Sequence, residues 1–149
     1  MKKILILVAL ATFLTANDFS VGKEITPFSL PDQFEKTHTI DKTTRTIIVS
    51  FEKDTGADMN AFLATKSPDY LEKRNAAFIA NISEMPSIIT KLFAMPKMKK
   101  YKHDVLLIND EEDKRFEAKE EKITIYKLVD GVVSKIDFVS TSKEVDEAL

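Results

Sequence analysis

Apolar positions along this chain fall into short runs parted by polar turns, and the period of those runs changes from one segment to the next. Thr46 to Phe51 (TIIVSF) is β-branched and almost continuously apolar, as expected of a central strand buried on both faces. Ala76 to Ile82 (AAFIANI) reads as a second buried strand, and Asp104 to Ile108 (DVLLI) as a third. Ile123 to Val129 and Val132 to Val139 are strands joined by Asp130-Gly131, a two-residue hairpin signal. Residues 24–40 read as two short strands around a polar turn.

Between the strands the period lengthens. Residues 52–57 read as a polar loop, and Asp58 as the N-cap of a helix carrying Met59, Phe62 and Leu63 on one face. Ser67-Pro68 restarts a helix, with proline at a tolerated first-turn position. After Ser83 or Glu84, Ile88, Ile89, Leu92 and Phe93 follow i, i+1, i+4, i+5 spacing, and Pro96 should end or kink that helix. Asn109 can cap a charged, mostly exposed helix over 110–121, and Ser142 a final helix from Lys143 to Leu149. Strands alternating with helices, closed by a hairpin and a last helix, predict an α/β protein with a mixed sheet.

The first residues carry a different pattern. Lys2 and Lys3 precede an apolar run from Ile4 to Leu14, and Thr15-Ala16 offers a small residue for cleavage, so residues 1–16 read as a secretory signal peptide. The run is shorter than the roughly 18–20 apolar residues that span a bilayer. The expectation is a periplasmic protein with no stable membrane insertion of the mature chain, residues 17–149, which forms one domain. Removing Lys2 and Lys3 leaves 20 basic residues against 24 acidic ones, a net charge of −4. That balance argues against nucleic acid, whose binding needs clustered basic groups to neutralise phosphates. Lys97, Lys99, Lys100 and Lys102 do cluster, and read as a solvated helix end. Export permits disulfides, yet the chain has no cysteine, so its stability rests on packing.

Three passages together resemble the thioredoxin-like superfamily in its peroxiredoxin-like variant. Val21–Ile40 (VGKEITPFSLPDQFEKTHTI) is similar to the family opening, where a Gly and a Pro-x-Phe-x-Leu-x-Asp stretch precede a turn and a second short strand. Ile47–Met59 (IIVSFEKDTGADM) is similar to the central strand and redox loop, and Ile123–Leu149 to the closing strand, hairpin, strand and helix. The resemblance implies a mixed central sheet flanked by helices, with an N-terminal β-hairpin extension. It places the two redox cysteines at Gly56 and Met59, and the cis-proline of the family at Ile123, where a trans peptide is expected. Glycine has no side chain and a thioether forms no thiolate. The chain therefore resembles a degenerate exported member in which dithiol exchange and thiol-based peroxide reduction are excluded.

In that family the redox loop and the proline edge form a shallow groove for extended polypeptide. The resemblance assigns Asp54, Thr55, Asp58 and Met59 to one side of it, and Lys122 and Thr124 to the other. The expected function is a non-catalytic binding or assembly module for a periplasmic or envelope protein, with no cofactor. An alternative is a copper or ligand carrier using Met95, Met98 and His103, since thioether and imidazole suit Cu(I). Otherwise Met85 and Met95 fill the core and Met98 sits at a helix end. Residues 83–110 also resemble short exported proteins of this fold that carry a flavin-dehydrogenase label, but no Gly-x-Gly-x-x-Gly follows a strand. The acidic pairs at 111–113 and 120–121 lack an apolar wall to raise a carboxyl pKa, and read as a solvated face. No nucleophile elbow is present, and an enzyme of other chemistry stays open.

Overall fold

The structure is a computed structural model describing residues 19–149. The expected signal peptide, residues 1–16, lies outside the described residues. Among those described, no helix is long and apolar enough to cross a membrane.

Among the described residues, seven strands and four α-helices follow one another. A short antiparallel pair, β1 (Phe28–Pro31) and β2 (Thr37–Ile40), comes first. The main sheet holds β3 (Thr46–Ser50), β4 (Ala76–Asn81), β5 (Leu106–Ile108), β6 (Ile123–Val129) and β7 (Val132–Val139), in the order β5-β4-β3-β6-β7. β3, β4 and β5 run parallel, while β6 and β7 are antiparallel to their neighbours. The central position of β3 explains its unbroken apolar run: all five residues are buried. At the β6–β7 turn, Asp130 and Gly131 take φ of 50° and 81°, the left-handed pair that a two-residue hairpin demands.

Alternation along the strands divides the core in two. On one face Ile48, Phe78, Leu107, Ile123 and Ile125 pack against Met59 and Leu63 of α1 (Lys53–Ala64), Met98, and Val145 of α4 (Ser142–Ala148). On the other, Ile47, Val49, Ile79, Leu106 and Tyr126 meet Phe19, Ile25, Leu30, Ile40 and Phe116. The N-terminal segment crosses this second face. Glu24 bridges to Val132 on β7 and Asp32 to Leu106 on β5, so eight residues carry the chain from one sheet edge to the other.

Several local expectations are corrected. Helix α1 begins at Lys53, not after Asp58, and its N-cap is Glu52. Its first turn, Lys53 to Gly56, carries no large apolar side chain, so the apolar period starts late. Asp58 caps nothing on its own helix, because its carboxylate accepts the backbone N–H and the hydroxyl of Ser142. The last helix therefore starts at Ser142, and its N-cap is Thr141, whose hydroxyl accepts from Glu144 N–H. After Ser67-Pro68 there is only a single 3₁₀ turn, Glu72–Arg74, closed by left-handed Asn75.

Residues 87–98 form one helical segment: α2 (Ser87–Ile89), a π turn (Thr90–Ala94) and α3 (Met95–Met98). Pro96 does not end it. The wider π turn just before the proline relieves the clash of its ring with the preceding carbonyls. The segment expected as a helix at 110–121 is irregular. Asp110 and Asp113 carboxylates accept the N–H groups of Glu112 and Arg115, a local alternative to helical bonding. Phe116, the one large apolar side chain there, enters the aromatic cluster with Phe19, Phe28 and Tyr126.

Candidate functional site

The positions that carry redox chemistry in the resembled family lie where β3 passes into α1. Gly56 sits in the first turns of α1, and a Cβ there would approach the Ser50 hydroxyl to 3.3 Å. Met59 is fully buried in the helix-side core, in the same cluster as Ile123. All peptide bonds of the described residues are trans, that before Ile123 included.

The six groove residues do not converge on one surface. Asp54 is exposed. Thr55 is buried and its hydroxyl donates to the Glu52 carbonyl at 3.1 Å. Asp58 is spent on Ser142 at 2.7 and 2.8 Å. Lys122 donates to the Ser140 hydroxyl at 2.6 Å. Thr124 is buried and donates to the Glu117 carbonyl at 2.8 Å. Its neighbours Ile123 and Ile125 face the helices, so strand alternation turns Thr124 to the opposite side of the sheet from α1. A link sequence reading missed closes this end further: the Glu52 carboxylate accepts Glu121 N–H at 3.1 and 3.2 Å.

Met95, Met98 and His103 have other duties as well. Met98 is a core residue, and Met95 packs half-buried beside it. His103 is buried, stacks on Tyr101 with ring centroids 4.9 Å apart, and shares a 2.9 Å hydrogen bond between Nε2 and Asn60 Oδ1. Burial pushes its imidazole below the usual range, and the Asp104 charge only partly offsets this.

At the other end of the parallel strands a cavity of about 340 Å³ opens between the β1–β2 hairpin, the 67–72 segment and the starts of β4 and β5. The polar turn between β1 and β2 carries two buried side chains, Asp32 and Gln33. Gln33, fully buried, donates to the His103 carbonyl at 2.8 Å and accepts Val105 N–H at 2.9 Å. Beside it Asp32 is also buried. Desolvation alone would raise its pKa, but hydrogen bonds from His38 and from the N–H groups of Phe34 and Lys36 outweigh this and hold the carboxyl below its ordinary value.

An exposed apolar surface lies elsewhere. Ile88, Ile89, Leu92 and Phe93, spaced as one helical face, are 64%, 41%, 61% and 66% exposed. The periodicity that predicts a helix here is real, but this apolar face points to solvent. Lys91, Lys97, Lys99 and Lys100 are exposed on the same segment and just beyond it.

The architecture is shared with proteins of known structure. The thioredoxin domain of a thiol-disulfide oxidoreductase from Bacteroides vulgatus superposes with a TM-score of 0.54, covering 87% of this chain and 97% of that one at 10% identity. A thio-disulfide isomerase from Thermus thermophilus gives 0.52 over 87% and 94% at 19% identity. A peroxiredoxin-like protein from Aquifex aeolicus gives 0.53 over 86% and 84% at 9% identity. No family model and no curated protein matches the chain. At such identities the likeness is one of fold: the chain has a thioredoxin-like fold. With no cysteine among its 149 residues, it has no thiol with which to run disulfide exchange.

Proposed function

We propose that this thioredoxin-like chain is an exported, non-catalytic binding module that docks a periplasmic or envelope protein through the apolar ridge of residues 87–98. The observation that carries the reading is the exposure of Ile88, Ile89, Leu92 and Phe93 together on one helical face. Single exposed apolar side chains are ordinary, but a contiguous set on one element is the mark of an interaction surface. Each square ångström covered by a partner is worth about 25 cal/mol. The lysines around the ridge favour a partner whose apolar pocket has an acidic rim. Export is supported by Lys2 and Lys3 ahead of the Ile4–Leu14 run.

Two other surfaces are weaker candidates. In the groove, Asp54 is exposed and Lys122 half-buried, while Asp58 is engaged with Ser142. The copper-carrier alternative needs Met98 and His103 to leave the core, and His103 to give up Asn60.

Site-specific photo-crosslinking in the source cell tests the proposal. A photoreactive residue replaces Leu92 in one strain and Asp54 in another. The expected result is an adduct with one envelope protein from position 92, lost when Ile88→Ser and Phe93→Ser are added, in a chain whose N-terminus has been processed. An adduct from position 54 alone would move the docking site to the groove. A chain retained unprocessed in the cytoplasm would end the export reading.

A further inference from the structure

The end of the molecule away from the lost redox positions holds a second set of side chains, independent of the docking ridge. We propose that Asp32, His38 and Asp104 bind a divalent transition-metal ion of the Zn²⁺ class. One ligand atom from each of the three lies within 4.8 Å of the other two. They come from different parts of the chain: Asp32 just past β1, His38 on β2, and Asp104 on the loop into β5.

The geometry at Asp32 is that of a positioned ligand. The residue is 2% exposed, and a buried carboxylate must be compensated. Its two oxygens divide the work. Oδ1 accepts the N–H groups of Phe34 at 2.8 Å and Lys36 at 3.0 Å. Oδ2 faces His38 Nε2 at 2.7 Å. Backbone donors on one oxygen leave the other aimed at a single point, as outer hydrogen bonds do for metal-bound carboxylates. Two atoms on one Zn²⁺, each about 2.0–2.1 Å from it in tetrahedral array, stand about 3.3 Å apart. Oδ2 and Nε2 need only part by roughly half an ångström for the ion to take the place of the shared proton.

Asp104 is exposed, but the backbone on both sides of it is held. Gln33 binds the His103 carbonyl and the Val105 N–H, and Gln33 directly follows Asp32. The turn that presents one carboxylate thus also fixes the loop that presents the other. A hydrogen-bonded staple between the strands would involve Asp32 and His38 alone, whereas a metal site takes in Asp104 as the third ligand. Two carboxylates and a neutral imidazole carry −2, matched by a divalent cation. The oxygen and nitrogen donors suit Zn²⁺ better than Cu(I), which prefers sulfur. His38 and Asp104 both line the 340 Å³ cavity, so positions left open on the ion would adjoin it. Three protein ligands beside an accessible space are the pattern of a site that takes a water or a small anionic ligand, rather than a closed structural site.

Calorimetry on the purified full protein, stripped with chelator and titrated with ZnCl₂, tests this. Co²⁺ titration followed by visible absorption reports ligand geometry. The expected result is one Zn²⁺ per chain, a rise in Tm with Zn²⁺, and binding at least tenfold weaker in both His38→Gln and Asp104→Asn. Both variants keep the backbone bonds to Asp32 and are checked for folding by circular dichroism. Absence of saturable binding overturns the site. So does binding of wild-type strength in either variant, which would place the ion on surface carboxylates such as Glu111 and Glu112.

Discussion

The carboxylate of Asp58, in the middle of α1, receives the backbone N–H of Ser142 at 2.7 Å and its hydroxyl at 2.8 Å, 84 positions further along the chain. The first helical residue of α4 is thereby tied to α1, and a negative charge lies against the N-terminus of α4, where the helix dipole favours it. Tyr70, in the segment after α1, also holds α4 by donating its hydroxyl to Asp146. Replacing Asp58 by alanine removes both bonds at once. A loss of about 1–2 kcal/mol is expected, read as a lower urea midpoint. Asp58→Asn should recover part of it, and an unchanged midpoint for the alanine variant would show that Val145 and the Tyr70–Asp146 bond are enough to dock α4.

Gln33 makes a stricter demand. Gln33→Leu has nearly the same volume but leaves Val105 N–H and the His103 carbonyl buried without partners. The expected cost is about 2–4 kcal/mol. Equilibrium unfolding measures it, and hydrogen exchange at Val105 should accelerate with it. A Gln33→Leu protein of wild-type stability would mean that water replaces the amide.

His103 gives the fold a pH dependence of definite sign. Burial lowers its pKa from the usual 6.5, so the unfolded chain takes up a proton that the folded chain refuses. The stabilisation is complete above pH 6.5 and is lost as the pH falls from there toward the depressed folded value. Urea midpoints recorded at pH 7.5, 6.5 and 5.5 should therefore decline, and His103→Gln should flatten the decline. A midpoint that rises toward pH 5.5 in the wild type alone would contradict the assignment.

The ridge and the core should respond in opposite ways to truncation. Ile88→Ser with Phe93→Ser removes side chains that are more than half exposed, and stability should move by no more than about 0.5 kcal/mol per site. Phe78→Ala empties a fully buried position and should cost about 3–5 kcal/mol. Thermal unfolding separates the two. Should the double ridge variant unfold like the Phe78 variant, the ridge is part of the core and not a surface.

Much of the fold was legible in advance. The five-residue run at β3 and the Asp130-Gly131 turn are local signals, written in adjacent residues, and both elements form where expected. The errors share a cause too. Asp58 has the chemistry of an N-cap, yet a distant helix end uses it. Residues 110–121 lack an apolar stripe, and Phe116 is drawn into a cluster whose other members come from Phe19, Phe28 and Tyr126. Tyr126 then holds the segment by accepting Glu117 N–H, and burial pushes its own pKa up to about 12.

By itself the sequence decided what chemistry is absent and which segments become strands. No arrangement in space can supply a thiol to a chain without cysteine, and a strand's preference is set by residues one and two positions away. Only the tertiary structure decided which polar groups meet. Gln33 and Val105 are 72 positions apart, and Asp32, His38 and Asp104 come together because the N-terminal segment crosses the sheet to reach β5. The same holds for the ridge. Helical spacing makes Ile88, Ile89, Leu92 and Phe93 one face, but whether that face is buried depends on what the rest of the fold places against it.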